Sequence, residues 1–166
     1  NEPLRGETHQ GFSDDSSWAR GQSWAVYGLA LCYHYTHEEA ILPLFERVTK
    51  YFIDHLPEDY VPYWDLIFSD GSCEPRDTSA AAIAACGILE MEKYYHNQEF
   101  LDIAKKMMSS LSEKYTTVDY LQSNGIIKDG MYSRKHGHKS ECTSWGDYFY
   151  LEALMRMKKS DWKIYW

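Results

Sequence analysis

The sequence predicts an all-α protein whose helices alternate between two kinds. No segment shows convincing period-two alternation of a strand, and Gly, Pro and Asp mark the loops between apolar-periodic segments. Some of those segments are small or aromatic on all sides, while others are amphipathic. A short polar start also recurs. Asp15-Ser16-Ser17-Trp18, Asp77-Thr78-Ser79-Ala80 and Cys142-Thr143-Ser144-Trp145 lie roughly sixty residues apart and each opens a helix of the first kind. A helix-hairpin repeating at that scale points to a toroid, with an inner ring of helices wrapped by an outer ring. A small helical array complete in itself fits the same pattern.

The first helix is expected to be capped by Asp14-Asp15-Ser16, whose oxygens can satisfy orphan backbone N–H groups, and to run to about Thr36. The second starts near Glu38 and ends by Leu56-Pro57, with Leu42, Phe45, Val48, Phe52 and Ile53 as its apolar stripe. A loop from Glu58 to Pro75 leads to a third helix, from Asp77-Thr78-Ser79 to about His96. The fourth spans about Gln98 to Lys114, amphipathic through Phe100, Ile103, Ala104, Met107 and Leu111. A second loop, Thr116 to Glu141, carries the turn pairs Asn124-Gly125 and Asp129-Gly130. The last helix covers about Thr143 to Lys158. The first, third and fifth hold Ala19, Gly21, Ala25 and Gly28, then Ala80–Ala85 and Gly87, then Gly146 and Ala153, which suits helices surrounded by other helices. Three inner helices make only part of a ring. A closed six-hairpin toroid needs about twice this length, so further hairpins are expected upstream.

The chain of 166 residues is long enough for one domain with a core. Its 14 Tyr and 6 Trp exceed what a helical core needs, and suggest a surface that grips something partly apolar and partly wet. Sugars and protein partners both fit. The formal net charge of −8 comes with no basic stripe, which excludes a nucleic-acid binder; Arg134-Lys135-His136-Gly137-His138-Lys139 is too short to serve. An acidic ligand would have to be met locally by one or two arginines. Cys32, Cys73, Cys86 and Cys142 form no Cys-x-x-Cys pair and read as reduced thiols of a cytoplasmic protein. No apolar run approaches the ~20 residues of a membrane span.

The most informative stretch runs from Thr8 to Trp24 and sets a polar turn against a helix start carrying Trp18, Arg20 and Trp24. Indole faces stack on the apolar side of a pyranose, and a guanidinium fork binds a carboxylate bidentately. The positive end of the helix dipole favours an anion at the same place. Stacking plus an anion fork is what recognition of a uronic acid requires. On chemistry alone a structural role stays open, with Trp18 and Trp24 in the core and Arg20 paired to Asp14 or Asp15. A second cluster joins Tyr63-Trp64-Asp65 to Pro75-Arg76-Asp77-Thr78-Ser79, where Asp77 reads as an N-cap and Arg76–Asp65 as a salt bridge. His136-Gly137-His138 lacks accompanying carboxylate or Cys spacing, so no metal site is expected. Asp14-Asp15 lacks the spacing of a magnesium-diphosphate motif, and the glycines form no phosphate-binding loop.

Five motifs in order cover nearly the whole chain: His9-Gln10-Gly11; Asp14-Asp15-Ser16-Ser17-Trp18-Ala19-Arg20-Gly21-Gln22-Ser23-Trp24; Pro62-Tyr63-Trp64-Asp65; Arg76-Asp77-Thr78-Ser79-Ala80-Ala81-Ala82-Ile83; and Trp145-Gly146-Asp147-Tyr148-Phe149. Together they resemble glycoside hydrolase family 88, the unsaturated glucuronyl hydrolases. The related unsaturated rhamnogalacturonyl hydrolases share some of this, but the Trp-Ala-Arg-Gly-Gln-x-Trp run fits family 88 better. The resemblance implies an (α/α)6 barrel, of which residues 1–166 would be the incomplete C-terminal portion of a single domain. It also implies removal of 4,5-unsaturated glucuronic acid from the ends of lyase-cut glycosaminoglycan or related oligosaccharides. In that reaction a carboxylic acid protonates the vinyl-ether double bond, water adds, and the hemiketal collapses, with no metal, cofactor or nucleophile.

Carried over by position, Trp18 and Trp24 would flank the unsaturated ring while Gln10 and Arg20 hold its polar groups. His9, Trp64, Asp65, Arg76, Asp77, Trp145 and Tyr148 are expected to line the site. None of Asp14, Asp15, Asp65, Asp77 or Asp147 matches the family's catalytic aspartates, which are expected upstream in a missing N-terminal half of the barrel. This chain alone is therefore expected to be inactive. A Ser-x-x-Ser-x-Lys loop recurs in members favouring sulphated chondroitin units. Here the segment starting at Ser133 has His136 and His138 at the second Ser and the Lys, so weaker discrimination for sulphated substrates is expected. A non-catalytic helical carbohydrate-binding or interaction module remains the alternative from another class.

Overall fold

Three helices with parallel axes, α1 (Ala19–Thr36), α3 (Thr78–Met91) and α5 (Ser144–Lys158), are each entered by a loop arriving at the same end, and α2 (Ile41–Asp54) and α4 (Gln98–Lys114) return the chain. The structure, a computed structural model, describes residues 4–159 and 161–164. Among them, strand-like pairing is confined to the isolated bridges Trp18–Asp65, Tyr63–Arg76, Thr116–Ile127 and Gly130–Glu141, so the all-α expectation holds.

The alternation read from composition is the arrangement seen. Every residue of α3 except Leu89 is buried, because α3 packs against α1, α5 and α4 at once. Its run of alanines allows this: side chains of one methyl let three helices approach a fourth from different sides. Gly87 marks the closest approach. A Cβ there would lie 2.7 Å from the Tyr27 Cα and 2.8 Å from the Tyr27 nitrogen, backbone atoms of α1 that cannot swing aside. The outer helices bury one stripe each, α2 through Phe45, Thr49 and Phe52, and α4 through Phe100, Ala104, Met107, Met108 and Leu111.

Helix ends follow the local signals where a side chain caps. Asn97 Oδ1 accepts from Phe100 N at 3.1 Å to open α4, and Thr143 Oγ1 accepts from Gly146 N at 3.2 Å to open α5. The expected cap of α1 is corrected. The helix opens at Ala19, whose N–H donates to the Trp64 carbonyl at 3.1 Å; the side chain at Trp18 caps nothing. Asp14 instead accepts from Thr8 N at 2.9 Å, and Ser16 Oγ donates to Asp65 Oδ2 at 2.8 Å. A loop carbonyl from far along the chain thus does the work assigned to the local acceptors. Two boundaries also shift: α2 begins at Ile41 rather than Glu38, and α3 ends at Met91, short of His96.

At the C-terminal ends of the inner helices a buried ion cluster ties them together. Arg156 of α5 pairs with Glu90 of α3 and with Glu152 one turn back, while Tyr27 of α1 donates to Glu152 at 3.1 Å. His34 Nδ1 and Lys93 Nζ meet the same Glu90 at 2.7 and 2.8 Å. Burial pushes the Glu90 carboxyl up, but Lys93 and Arg156 outweigh it and hold the group below the usual range. The opposite, N-terminal ends are where the candidate site lies.

Gly87→Ala is expected to cost about 3 kcal/mol by forcing α1 from α3. Gly28→Ala, where a Cβ meets nothing within 4 Å, is expected to be neutral or to gain up to about 1 kcal/mol. Urea unfolding of the two variants beside the parent checks both signs.

Candidate functional site

Arg20 sits in the first turn of α1 with only 3% of its surface exposed, so its charge has to be satisfied by protein. Its Nη1 donates to Ser79 Oγ at 3.2 Å, and its Nη2 donates to the carbonyls of Met131 and Tyr132 at 3.0 and 2.6 Å. Asp77 Oδ2 faces Nη1 at 3.5 Å, an ion-pair distance beyond a good hydrogen bond. Two indoles lie against the guanidinium, with the Trp18 and Trp145 ring centroids 4.9 and 5.0 Å from Cζ. Burial pulls the Arg20 guanidinium down and pushes the Asp77 carboxyl up, against the attraction between the two. Of five N–H donors on an arginine, three are committed to neutral acceptors, leaving the Nε–H and one Nη1–H.

Above this layer lies a cleft of about 170 Å³ lined by Gln10, Trp18, Arg20, Trp24, Tyr132 and Trp145. Trp24 is 38% exposed and braced edge-on by Phe149 at 5.1 Å. Gln10 Nε2 points to the Tyr132 carbonyl at 3.5 Å. A second hollow of about 360 Å³, formed by Ser144, Trp145, Tyr148 and Phe149, shares Trp145 with the cleft. A roomier hollow, about 410 Å³ against α2, is lined by residues that include Leu44, Arg47, Val48 and Tyr51. It lacks facing indoles and a buried cation, so volume alone does not select the site. Indole faces around a guanidinium at the N-terminal ends of three helices form a place where an acid with an apolar ring face is favoured.

The cleft therefore unites Gln10, Trp18, Arg20 and Trp24 with Trp145. The loop predicted to read substituents lies at its rim. Ser133 is buried, with its hydroxyl 2.6 Å from His136 Nδ1; the His136 ring lies 5.0 Å from His9, and His138 packs edge-on to Tyr132 at 4.8 Å. Trp64, Asp65, Arg76 and Asp77 do not line the cleft but support it. Asp65 is fully buried and accepts from Phe12 N and Ser16 Oγ at 2.8 Å, and from Ile67 N at 3.1 Å. The expected Arg76–Asp65 bridge is absent. Arg76 pairs with Asp70 at 3.3 Å and Asp59 at 3.5 Å, donates to the Val61 carbonyl, and stacks on Tyr63 at 3.9 Å. Asp77 occupies the N-cap position of α3 without a side-chain cap bond, since its carboxylate turns to Ser79, Met131 N and Arg20. Arg20 does not pair with Asp14 or Asp15. Tyr132 was not singled out from the sequence; its place just before Ser133 was the available signal.

Among the described residues no three His, Cys, Asp or Glu side chains gather as metal ligands, and no helix is long and apolar enough to cross a membrane. The four cysteines are free.

Inner helices backed by outer ones, with indoles gathered around a buried arginine at one end, define a helical-toroid protein whose cleft suits an acid with an apolar ring face. Residues 4–160 match Glycosyl Hydrolase Family 88, and the chain belongs to that family. It is similar to the unsaturated chondroitin disaccharide hydrolase of Streptococcus agalactiae serotype III (strain NEM316), with 47% identity over 171 residues, covering 99% of this chain and 43% of that protein. It is 40% identical to the unsaturated glucuronyl hydrolase of Bacillus sp. (strain GL1), over 94% of this chain and 43% of that protein. A mutant unsaturated glucuronyl hydrolase from S. agalactiae, solved with dGlcA-GalNAc6S, superposes with a TM-score of 0.90 at 47% identity, over 99% of this chain and 45% of that one. An unsaturated glucuronyl hydrolase specific for heparin superposes with a TM-score of 0.85 at 30% identity, over 93% of this chain and 43% of that one. These neighbours are (α/α)6 barrels, and the inner and outer helices seen here are part of that architecture. The chain spans less than half the length of these relatives.

Asp77→Ala removes the counter-ion of a buried guanidinium and is expected to destabilise the chain by about 3–5 kcal/mol. Asp15→Ala, at an exposed side chain, is expected to change stability by less than about 0.5 kcal/mol. Denaturant midpoints of the two variants decide whether Asp77 or the adjacent loop acidic residue is the true partner of Arg20.

Proposed function

We propose that the complete protein removes 4,5-unsaturated glucuronic acid from the non-reducing ends of lyase-generated glycosaminoglycan oligosaccharides by hydrating the vinyl-ether double bond. The observation that carries this reading is the convergence of Gln10, Trp18, Arg20 and Trp24 on one cleft, together with membership of family 88. Trp18 and Trp24 flank the unsaturated ring, and Gln10 and Arg20 hold its polar groups. Arg20 meets the carboxylate with the donors its protein partners leave uncommitted. A carboxylic acid protonates one alkene carbon, water adds to the other, and the resulting hemiketal opens to release the remaining sugar. That acid is an aspartate of an N-terminal half of the barrel, and residues 1–166 are the C-terminal portion of the domain. The protein works in the cytoplasm, where four unpaired cysteines stay reduced.

The rim loop sets a weak preference among sulphation patterns. His136 turns inward to Ser133, and His138 packs on Tyr132, so neither stands as a fixed cation for a sulphate. Comparable kcat/KM on unsulphated and 6-sulphated unsaturated chondroitin disaccharides is expected, and a strong preference for the 6-sulphated one would refute this.

The central test follows ultraviolet absorbance of the conjugated double bond on unsaturated chondroitin disaccharide. Protein from the complete reading frame should consume the signal, and the isolated 166-residue chain should not. Loss of signal with the isolated chain would move the proton donor into these residues. A folded complete protein that leaves every unsaturated disaccharide intact would overturn the reading in favour of a binding module. Arg20→Lys, which gives up the planar fork, should lower kcat/KM of the complete enzyme by roughly 10- to 100-fold.

A further inference from the structure

Beneath the cleft, without lining it, the Ser79 hydroxyl joins all three inner helices. Ser79 stands in the first turn of α3 and is completely buried. Its hydroxyl donates to Asp77 Oδ1 at 2.5 Å, and accepts from Arg20 Nη1 of α1 and Trp145 Nε1 of α5, each at 3.2 Å. A hydroxyl has one hydrogen to donate and two lone pairs to accept with. These contacts use all of them, so the rotor has one setting. Asp77 fixes where the hydrogen points, and that fixes where the lone pairs point.

The two donors it receives belong to two walls of the cleft. An indole can turn about its second side-chain torsion, which has broad wells. Its single N–H is on one edge only, so a bond from that edge to Ser79 selects one orientation of the Trp145 ring. Trp145 is also one of the two indoles that lie against the Arg20 guanidinium. Arg20 keeps its bonds to the Met131 and Tyr132 carbonyls independently of Ser79, which hold one end of the fork. Its other end and the plane of Trp145 both depend on the same oxygen.

We propose that Ser79 is a positioning residue of the cleft, holding the Arg20 fork and the Trp145 indole in the mutual orientation that receives the acid sugar. The proposal rests on the reading that this cleft takes the unsaturated uronate. Ser79 touches no substrate; it acts through Arg20 and Trp145. A purely structural serine would change stability and leave affinity alone, whereas a positioning serine changes affinity in a way that depends on the Trp145 N–H.

The test is a double-mutant cycle in the complete enzyme, with Ser79→Ala and Trp145→Phe, following double-bond absorbance on unsaturated chondroitin disaccharide at a temperature where circular dichroism shows each variant folded. Trp145→Phe keeps an aromatic face but removes the five-membered ring with its N–H, so the decisive quantity is the difference between the two backgrounds, not the effect of this substitution by itself. Ser79→Ala should raise KM by roughly tenfold with kcat changed less than about threefold, the pattern of lost uniform binding. In the Trp145→Phe background the further rise from Ser79→Ala should shrink to about threefold or less, because the shared bond is already gone. An unmoved KM in Ser79→Ala, or an equal effect in both backgrounds, overturns the proposal. Should Ser79→Ala not fold, the nearly isosteric Ser79→Cys, whose thiol is a weak donor and acceptor, takes its place in the same cycle and is read by the same two outcomes. A parent enzyme that consumes no unsaturated disaccharide is a different result; it removes the functional reading and this proposal with it.

Discussion

A guanidinium withdrawn from water at the start of α1 organises one end of this molecule. Moving such a charge into the interior carries a penalty of several kcal/mol unless hydrogen bonds and a counter-ion surround it. Arg20 obtains them from three places: Ser79 and Asp77 at the start of α3, the Met131 and Tyr132 carbonyls of the second long loop, and the faces of Trp18 and Trp145. Each partner comes from a different part of the chain. Satisfying one residue therefore fixes the relative position of α1, α3, α5 and the loop that forms the rim. The cleft is the upper surface of this arrangement.

The same logic operates at the other end with the signs rearranged. Glu90 and Glu152 face Arg156 in the interior, with Lys93 and His34 at the edge. Burial, with Glu152 beside it, pushes the Tyr27 hydroxyl up, so it stays a neutral donor to that carboxylate. Between the two polar ends α3 meets its neighbours largely through alanines and Gly87, while Trp24 and Tyr27 of α1 pack edge-on against Phe149 of α5. Directional bonds at both ends add to the register that this packing provides.

This division explains why a chain of formal charge −8 presents a place suited to an anion. The acidic residues nearest the cleft are committed to the protein: Asp77 to Arg20 and Ser79, Asp65 to the turn before α1, and Asp147 to the N–H groups of Ile126 and Ile127 at 2.9 and 3.0 Å. What remains exposed at the site is aromatic and amide surface over a buried cation, with three helix N-termini directed at it. Local arrangement outweighs net charge at this range, because most of the acidic side chains lie on outer faces and are screened by solvent.

Residue order alone carried the class of the fold and its alternation. Apolar periodicity and small-residue content are local properties, and they distinguished α3 from α4 directly. Where a cap is also local, as at Thr143, the boundary was legible too, and the Trp18, Arg20 and Trp24 spacing placed three cleft residues on one helix start. The tertiary structure decided the partners. Arg20 joins Asp77 rather than the adjacent Asp14 or Asp15, Arg76 joins Asp59 and Asp70 rather than Asp65, and the Trp64 carbonyl opens α1 in place of Ser16. An ion pair or cap forms with whichever group the packed loops deliver, and delivery depends on contacts between segments far apart in the chain. Tyr132 enters the cleft for the same reason: the carbonyls of its loop were needed by Arg20, and the side chain came with them.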